Sequence, residues 1–218
     1  MEPSDYTRLD YKTINEFFPK GQVSILAARP AMGKTMFASQ IAKQFCRHGE
    51  NTLFFSLEYD YKDIINHFDP VGNGNIKCCV VDIPGITIED IQLAIKKRYF
   101  NVIIIDYVEL MDSIKTLDGL NRAEELRTIW MSLDKMAKEN EIRIIGVSQL
   151  IRTRIDGSEK ALPDDCLSYL DKDFLLKRIK VLHRDGYYSN DSNKDDLEPI
   201  TIIEYVFDSS YTTILRYI

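Results

Sequence analysis

The sequence predicts an α/β fold, in which a mostly parallel twisted sheet carries helices on both faces and ends in a C-terminal antiparallel hairpin. Two observations support this prediction. Short apolar runs alternate along the chain with segments whose apolar residues recur at helical spacing. The strongest run, Val102–Ile105, is continuously apolar, as is typical of parallel strands buried on both faces. In such a sheet, ligands bind beyond the carboxyl ends of the strands.

Five runs rich in apolar residues are predicted as strands of this sheet, and the first two are flanked by polar residues or glycine. The five runs are Val23–Ala28, Thr52–Leu57, Lys77–Ile83, Val102–Ile105 and Ile142–Leu150. Helical spacing predicts helices over Thr35–His48, which ends before Gly49, and over about Arg122–Asn140. A further helix after the third strand has Thr87 as its predicted N-cap, and Asp90 completes the pattern of a capping box.

The C-terminal part of the chain is predicted to be less regular before it closes in a hairpin. Residues Arg152–Asp165 are predicted as a polar loop, and Phe174–His183 as a strand with basic interruptions. The charged stretch DGYYSNDSNKDDLEP predicts a hairpin or loop, and ITIIEYVF with YTTILRYI an antiparallel pair around DSS. Without an internal repeat, residues 1–218 are predicted as one domain, with 1–20 as an N-terminal arm and 21–218 as the core.

The composition is that of an ordinary globular protein. Of 218 residues, 44% are apolar and 28% charged, and no run is long enough to cross a bilayer. The N-terminus lacks the apolar core of a signal peptide, so we expect a cytoplasmic protein without a membrane partner. A formal net charge of −6 argues against a broadly basic surface for nucleic acid but leaves room for a narrow basic groove or loop.

The cysteines and histidines do not show the spacing of a metal site. The cysteines are Cys46, Cys78, Cys79 and Cys166, and the three histidines are widely scattered. Adjacent Cys78 and Cys79 fall in a predicted strand, so their side chains should point to opposite faces of the sheet. We therefore expect reduced and mostly buried thiols.

The turn between the first strand and the first helix fits the phosphate-loop template, with alanine in the first glycine position. It spans Ala28, Arg29, Pro30, Ala31, Met32, Gly33, Lys34 and Thr35, and Met36 follows in the helix. Gly33 lets the backbone approach phosphate oxygens, Lys34 can reach the β- and γ-phosphates, and the Thr35 hydroxyl can bind Mg²⁺. The helix directs its N-terminal amides at the anion. These residues are therefore predicted to bind the phosphates of a nucleotide.

Carboxylates end two of the predicted strands at the same edge of the sheet as the phosphate loop. Asp106 closes the apolar run Val102–Ile105, which is the Walker B arrangement and predicts a Mg²⁺ ligand that acts through water. Glu58 follows the second strand and could orient and deprotonate a water in line with the γ-phosphate. Glu109 is a rival candidate for this base, and spacing alone does not choose between the two carboxylates.

The strand beyond Asp106 ends in Ser148-Gln149. An amide at this position could hydrogen-bond the γ-phosphate and relay its loss to the next loop. The alternative is a polar pair that simply faces solvent. The residues by themselves do not decide between these two interpretations.

Taken together, these segments resemble the RecA-like motor domain of DnaB-type replicative helicases. The matching stretches occur in that family's order: LAARPAMGKT, FFSLEY, VVDIPGITIEDI, IIIDYVELM, MAKENEIRIIGVSQLIR and HRDGYY. The Arg-Pro-x-Met inside the phosphate loop and the Ser-Leu-Glu after the second strand are the most specific. The resemblance covers most of the chain from about Gly21 to Tyr188 and implies a RecA-like P-loop ATPase fold.

The resemblance also implies roles for several residues. Glu58 takes the position of the family's catalytic base, and Gln149 that of the residue that senses the γ-phosphate. The family uses ATP and Mg²⁺ at the interfaces between subunits of a hexameric ring, with single-stranded DNA in the central channel. A DnaB-like ATPase in replication or a mobile element is therefore the leading hypothesis, with a replication protein as a possible further partner.

The loop after the fifth strand, IRTRIDGSEKALPDD, matches the part of the family that faces DNA. Arg152, Arg154 and Lys160 are the candidate ligands of DNA phosphates in this loop. Four acidic residues lie among these cations, so the alternative is an exposed loop of mixed charge. No aromatic residue interleaves the basic ones, and the loop therefore lacks a platform for base stacking.

The sequence departs from the family pattern at both ends. The phosphate loop begins at Ala28, so we expect a stand-alone ATPase domain without the family's N-terminal domain and linker helix. In the family, a Lys-x-Arg pair on the C-terminal hairpin reaches the neighbouring subunit's ATP. The matching stretch here, IIEYVFDSSYTTI, contains neither Lys nor Arg. Arg178, Lys180 or Arg184 could substitute, and Arg184 is included among the predicted nucleotide-binding residues.

Two other functions are compatible with these departures. A non-motor helicase paralogue would bind ATP as a switch and regulate or dock a replication partner. A clock-type or recombinase-type RecA-like ATPase is the third hypothesis, which the Arg-Pro-Ala-Met loop disfavours.

Overall fold

The structure is a computed structural model and describes residues 6–8, 10–67, 78–112, 121–150, 167–176, 178–184, 200–204 and 212–216. Two predicted segments lie outside these residues. They are the polar loop Arg152–Asp165 and the charged stretch DGYYSNDSNKDDLEP. Cys166 and the DSS turn of the hairpin also lie outside them.

Nine strands occur in the part of the chain that the structure describes. They are β1 (Tyr6–Arg8), β2 (Gln22–Ala28), β3 (Thr52–Ser56), β4 (Cys78–Val81), β5 (Val102–Asp106), β6 (Arg143–Gln149), β7 (Ile179–Arg184), β8 (Ile200–Glu204) and β9 (Thr212–Arg216). The five core strands predicted from the apolar runs are confirmed as β2 to β6. The predicted closing pair is confirmed as β8 and β9, which are antiparallel.

Six helices occur in the described residues. They are α1 (Tyr11–Phe17), α2 (Lys34–Arg47), α3 (Tyr61–His67), α4 (Ile88–Lys97), α5 (Arg122–Asn140) and α6 (Lys172–Leu176). The predicted capping box on α4 is present, because the Thr87 side chain accepts from the Asp90 amide and Asp90 accepts from the Thr87 amide. Asn121 and Glu124 form the same device on α5. Local polar residues therefore fix where both helices begin.

The strands form one sheet in the order β1-β9-β8-β7-β2-β6-β5-β3-β4. The six strands from β7 to β4 run parallel to one another. Their register pairs Ala28 with Gln149 and Ser56 with Asp106. The ends of β2, β3, β5 and β6 therefore meet at one edge of the sheet, where the loops that follow them can share a ligand.

Helices cover both faces of the sheet, and side chains alternate between two cores. On β2, Val23, Ile25 and Ala27 face the core that α4 and α5 cover. Leu26 and Ala28 face the core that α1 and α2 cover. Cys79 and Cys78 divide in the same way, which confirms the prediction for this pair.

Tight packing holds α5 against the sheet. Trp130 is fully buried, and its indole ring lies over Gly146 of β6. A Cβ atom at Gly146 would lie 2.3 Å from this ring and 2.8 Å from Val108, so the position has no room for a side chain. The glycine is needed here for close approach of a helix to a strand.

The prediction of a strand over Phe174–His183 is wrong in its first part. The helix α6 ends at Leu176, and β7 begins only at Ile179. Between them, the Arg178 guanidinium makes a two-pronged ion pair with Asp134 of α5 at 2.9 and 3.0 Å. It also lies 4.3 Å from the centroid of the Phe174 ring. The ion pair therefore fixes the point at which the chain changes from helix to strand, although the sequence here is one apolar run.

The predicted N-terminal arm contains regular structure that the sequence analysis did not predict. Asp10 caps α1 by accepting from the Thr13 amide at 2.8 Å. Arg143 donates to the Phe18 carbonyl at 2.8 Å and to Glu50 at 3.1 Å. These buried contacts tie α1 to β6 and to the segment before β3. Before α1 in the chain, β1 pairs in parallel with β9.

Candidate functional site

A cleft of about 410 Å³ opens at the carboxyl edge of the sheet, between the ends of β2, β3 and β6. Its lining residues are Pro30, Ala31, Gly33, Lys34, Thr35, Met36, Glu58, Tyr59 and Gln149. The predicted phosphate loop, the predicted base and the predicted γ-phosphate sensor therefore line the same cleft. Tyr59 was not predicted, since nothing in the pattern distinguishes it from other exposed residues after a strand.

The phosphate loop has the backbone of an anion-binding turn. Gly33 is the N-cap of α2 in the left-handed region, with φ 82° and ψ 29°. Ala31 also has a positive φ, of 63°, which costs a residue with a Cβ about 1–2 kcal/mol. An added Cβ at Gly33 would meet nothing within 4 Å, so the space beside this backbone is open. The first amides of α2 have no acceptor within the helix and are free to bind an anion.

The predicted nucleotide-binding residues of the loop divide into two groups. Ala28, Arg29 and Met32 are buried, and Ala28 and Met32 pack in the core that α2 covers. The side chains of Ala28 and Met32 therefore support the loop from below, and any contact they make with a nucleotide is through the backbone. Pro30 and Ala31, by contrast, are exposed on the cleft.

Lys34 is held inside the loop as the first residue of α2. Its ammonium donates to the Arg29 carbonyl at 3.5 Å, and the side chain is buried. Burial is the main reason that the pKa of Lys34 is lowered. The negative charges of Asp106, Glu58 and Glu109 act in the opposite direction on this pKa. One cation therefore faces three carboxylates at this edge of the sheet.

Asp106 lies at the end of β5 and is fully buried. Neither of its carboxylate oxygens has a hydrogen-bond partner among the residues that the structure describes. Burial raises the pKa of Asp106 to about 6, and the Glu58 charge adds to this, whereas the Thr35 side chain and the Lys34 charge lower it. A buried carboxylate without a donor is costly in an isolated protein. A carboxylate close to the Thr35 hydroxyl fits a Mg²⁺ ion, which binds oxygen and retains water.

Glu58 lies on the short segment after β3, whose backbone is fixed on both sides. The Leu57 amide donates to the Asp106 carbonyl at 2.8 Å, and the Ser56 hydroxyl donates to the Tyr59 carbonyl at 2.6 Å. The Glu58 side chain is exposed and lines the cleft. These bonds hold an accessible carboxylate across the cleft from the phosphate loop.

Glu109, the rival candidate for the base, is in a different environment. It lies in the short 3₁₀ turn Val108–Leu110, and it is not among the residues that line the cleft. Its Oε1 accepts a hydrogen bond from the Ser148 hydroxyl, and its Oε2 is buried. Burial raises the pKa of Glu109, whereas Ser148 lowers it. This geometry favours Glu58 as the group that can reach a water in the cleft.

The remaining predicted site residues are only partly described. Arg184 ends β7, and the register pairs Leu182 of the same strand with Ala28. The backbone of Arg184 therefore lies near the edge that carries the phosphate loop. Arg152, Arg154 and Lys160, the predicted DNA ligands, lie outside the described residues.

The described residues contain neither a membrane-spanning helix nor a cluster of metal-binding side chains. No helix among them is both long enough and apolar enough to cross a membrane. Within the same residues, no group of three or more His, Cys, Asp or Glu side chains is placed to hold a metal ion. A Mg²⁺ ion at Asp106 would therefore need ligands besides protein carboxylates, such as the Thr35 hydroxyl, phosphate oxygens and water.

Several replicative helicases are similar in sequence to nearly the whole of this chain. A probable replicative DNA helicase from Trieres chinensis is 28% identical, over 96% of this chain and 56% of the relative. A probable plasmid replicative DNA helicase from Chlamydia psittaci is also 28% identical, over 99% of this chain and 53% of the relative. The replicative DNA helicase DnaB of Geobacillus stearothermophilus is 27% identical, over 91% and 50%. The chain thus spans about half the length of these relatives.

Solved structures show the same fold. A DnaB-like replicative helicase, described together with its interactions with primase, superposes with a TM-score of 0.72 at 21% identity, over 100% of this chain and 63% of that one. A second structure, described as an ATPase domain, gives a TM-score of 0.71 at 21% identity, over 97% and 88%. The expected RecA-like fold is confirmed.

One family model covers the phosphate loop, the glutamate after β3 and the buried aspartate at the end of β5. This family model, described as the DnaB-like helicase C terminal domain, matches residues 3–69 and 71–204. These two ranges include most of the chain and every residue that lines the cleft. The chain therefore belongs to the DnaB-like helicase C-terminal domain family.

Proposed function

We propose that this chain binds ATP with Mg²⁺ in the cleft and hydrolyses it, as the ATPase domain of a DnaB-like helicase that acts on single-stranded DNA. The observation that supports this most strongly is the arrangement around Lys34. The phosphate loop presents Lys34 and Thr35, the loop after β3 presents Glu58, and the end of β6 presents Gln149. Asp106 lies behind them with two oxygens that have no described partner.

Each residue has a distinct task in this proposal. Lys34 and the first amides of α2 bind the β- and γ-phosphates, and burial of Lys34 strengthens this attraction by lowering the local dielectric. Thr35 and Asp106 hold Mg²⁺, which when bound neutralises phosphate charge. Glu58 orients a water and accepts its proton as the water oxygen bonds to the γ-phosphorus and the bond from that phosphorus to the bridging oxygen of ADP breaks. Gln149 donates from its amide to the γ-phosphate and loses this partner after hydrolysis.

The relatives suggest a larger assembly. Replicative helicases of this family are named among the matches, and one related structure is described with its interactions with primase. We infer that this chain assembles into a ring, as a hexamer, and contacts DNA through Arg152, Arg154 and Lys160. A replication protein of the primase type is the corresponding proposed partner. Three cations per subunit would make DNA affinity fall steeply with salt.

One observation favours a second function, in which the chain uses ATP as a switch. The stretch that joins β8 to β9, residues 205–211, reads YVFDSSY and contains neither Lys nor Arg. A cation supplied in trans is worth on the order of 10³–10⁵ in rate in related phosphoryl-transfer systems. A chain without such a cation at its hairpin would bind ATP but turn it over slowly unless another basic residue takes this role.

The test is a set of variants measured for nucleotide binding and for ATPase activity with and without single-stranded DNA. Lys34→Ala should weaken ATP binding about 10–100-fold, since it removes a charged hydrogen bond to phosphate. Glu58→Gln should retain binding and lower turnover by about 10²–10⁴-fold. Lys96→Ala, on the exposed face of α4, is the matched control and should leave both unchanged.

The outcomes separate the two functions. DNA-stimulated turnover that Glu58→Gln abolishes would support the ATPase. Normal ATP binding with no turnover at any DNA concentration would favour the switch. If the wild-type chain binds no nucleotide, both are wrong. Mass measurement with ATP and Mg²⁺ tests the ring, which a persistent monomer would exclude.

A further inference from the structure

Glu109 has a carboxylate that the proposed mechanism does not use. It lies in the 3₁₀ turn directly after β5, three residues beyond Asp106 in the chain. Its Oε2 is buried without a hydrogen-bond partner among the described residues. A carboxylate in this position is costly, because burial disfavours its charged form. An apolar residue of similar volume would be cheaper if packing were the only requirement.

The contacts of Glu109 lead to the end of β6. The Ser148 hydroxyl donates to Glu109 Oε1, and Ser148 is fully buried. The backbone amide of the next residue, Gln149, also favours the charged form of Glu109. The Gln149 side chain, in turn, lines the cleft. Glu109 therefore holds the Ser148–Gln149 end of β6, which carries the side chain of the expected γ-phosphate sensor, Gln149.

The turn that carries Glu109 is itself fixed from the other side. Arg122, the first residue of α5, donates to the Glu109 carbonyl at 2.9 Å and to the Met111 carbonyl at 2.8 Å. Its guanidinium also pairs with Glu125 at 2.9 Å. The start of α5 thus holds the turn, and the turn holds the end of β6. A rigid support of this kind is what a residue needs if it is to place an amide within a fraction of an ångström.

We propose that Glu109 is a positioning residue, which holds the Ser148–Gln149 end of β6 so that the Gln149 amide distinguishes ATP from ADP. The proposal rests on the proposed ATP site and assigns no role in proton transfer to Glu109. Loss of the carboxylate frees the Ser148 hydroxyl and lets the Gln149 backbone shift. The contact that the Gln149 amide makes with the γ-phosphate is then lost. The contacts that the phosphate loop makes with the nucleotide remain.

The test compares the affinities of a non-hydrolysable ATP analogue and of ADP in variants at Glu109. Glu109→Ala should reduce the ratio of the two affinities about tenfold, through the analogue alone, since one hydrogen bond to a charged group is lost. Glu109→Gln keeps an acceptor oxygen for Ser148 and should restore most of the ratio. Glu89→Gln, at an exposed acid on α4, is the matched control and should change neither affinity.

Gln149→Ala provides the reference, and a double variant provides the decisive comparison. If Glu109 acts through Gln149, then Glu109→Ala adds no further loss in the Gln149→Ala background. Additive losses would overturn the proposal, and so would an equal loss of ADP and analogue affinity in Glu109→Ala. Should Glu109→Ala fail to fold by circular dichroism, Ser148→Ala removes the same hydrogen bond and carries the same expectation.

The wild-type chain separates failure of this proposal from failure of the ATP site. If wild type binds the analogue more tightly than ADP and Glu109→Ala leaves the ratio unchanged, the positioning role is wrong and the ATP site stands. If wild type binds neither nucleotide, both proposals are overturned.

Discussion

Asp106→Asn should stabilise the ligand-free protein, although it removes a residue that the proposed function requires. The side chain is fully buried at the end of β5, and its oxygens have no hydrogen-bond partner among the described residues. The fold therefore carries a buried charge at this position. Asparagine has nearly the same shape and no charge, so the substitution removes the electrostatic cost and leaves the packing unchanged.

The magnitude follows from the pKa. Burial raises the pKa of Asp106 from 3.8 to about 6, and each pKa unit corresponds to about 1.36 kcal/mol. The charged form thus costs the folded protein on the order of 3 kcal/mol at neutral pH. This figure already includes the attraction to Lys34. The introduced asparagine amide remains a buried polar group, so the net gain should be about 1–3 kcal/mol. For a chain of this length, that raises Tm by roughly 3–10 °C.

The raised pKa of Asp106 also predicts how the stability difference between the two proteins changes with pH. Between about pH 4 and pH 6, the folded protein binds the Asp106 proton more tightly than the unfolded chain does. The contribution of Asp106 to wild-type stability therefore falls as the pH rises through this window. The advantage of Asp106→Asn should be full at about pH 7.5, shrink below about pH 6 and disappear near pH 4. Because both proteins share every other titratable group, the difference in Tm isolates this carboxyl.

Thermal melts without nucleotide or divalent metal test the stability effect, and melts with both test the functional one. With Mg²⁺ and an ATP analogue at about 100 times Kd, wild type should gain about 2.7 kcal/mol. Asp106→Asn should gain much less, so its advantage in Tm over wild type should shrink or be reversed. A metal-free Asp106→Asn protein that melts below wild type at neutral pH would refute the reasoning. A difference in Tm that is the same at neutral pH and near pH 4 would also refute it.

Three further substitutions test the scaffold by urea denaturation. Gly146→Ala forces a Cβ to within 2.3 Å of the Trp130 ring and should cost about 1–3 kcal/mol, and an unchanged midpoint would contradict the close packing. Thr87→Ala removes the N-cap of α4 and should cost about 1 kcal/mol without changing nucleotide affinity. Arg178→Ala leaves buried Asp134 with fewer partners and should cost about 2–4 kcal/mol, whereas a loss below about 1 kcal/mol would show that the pair is dispensable.

The parts of the fold that were predictable are those that local chemistry determines. The apolar run Val102–Ile105 became β5 because a continuous apolar run suits a strand buried on both faces. Thr87 and Asp90 marked the start of α4 because a capping box satisfies amides that have no partner in the helix. In each case the determining feature, an apolar run or a capping pair, lies within a few residues along the chain.

The parts that were not predictable depend on contacts between distant residues. The run from Phe174 to His183 contains both a helical turn and a strand, because Arg178 pairs with Asp134 on α5. The sequence of this run does not indicate that Arg178 pairs with Asp134. The structured N-terminal segment likewise depends on Arg143, which donates to the Phe18 carbonyl although the two residues are 125 positions apart in the sequence.

The choice between Glu58 and Glu109 shows the same limit within the site. Both follow a strand at the correct edge of the sheet, so spacing along the chain is equally good for each. The register of β5 and β6 brings the turn that carries Glu109 next to Ser148, whereas the loop after β3 leaves Glu58 exposed in the cleft. Spacing alone left the choice open, the family resemblance implied Glu58, and the positions of the neighbouring strands favour the same residue.

Several unfavourable local features of the described residues lie at the carboxyl edge of the sheet, although Glu141 at the end of α5 also has a positive φ, and buried Ser24 and Trp130 each have a polar atom without a described partner. Ala31 has a left-handed backbone although it carries a Cβ, and Asp106 and Glu109 have buried carboxylate oxygens without partners. Lys34 is buried among three acids that outnumber it. Elsewhere, capping boxes, alternating strand faces and close packing of α5 agree with local preference. Since strain of this kind persists where function requires it, these features support the proposal that this edge binds the ligand. The carboxylates around Lys34 favour a ligand that carries a cation, such as the Mg²⁺–nucleotide complex of the proposed function.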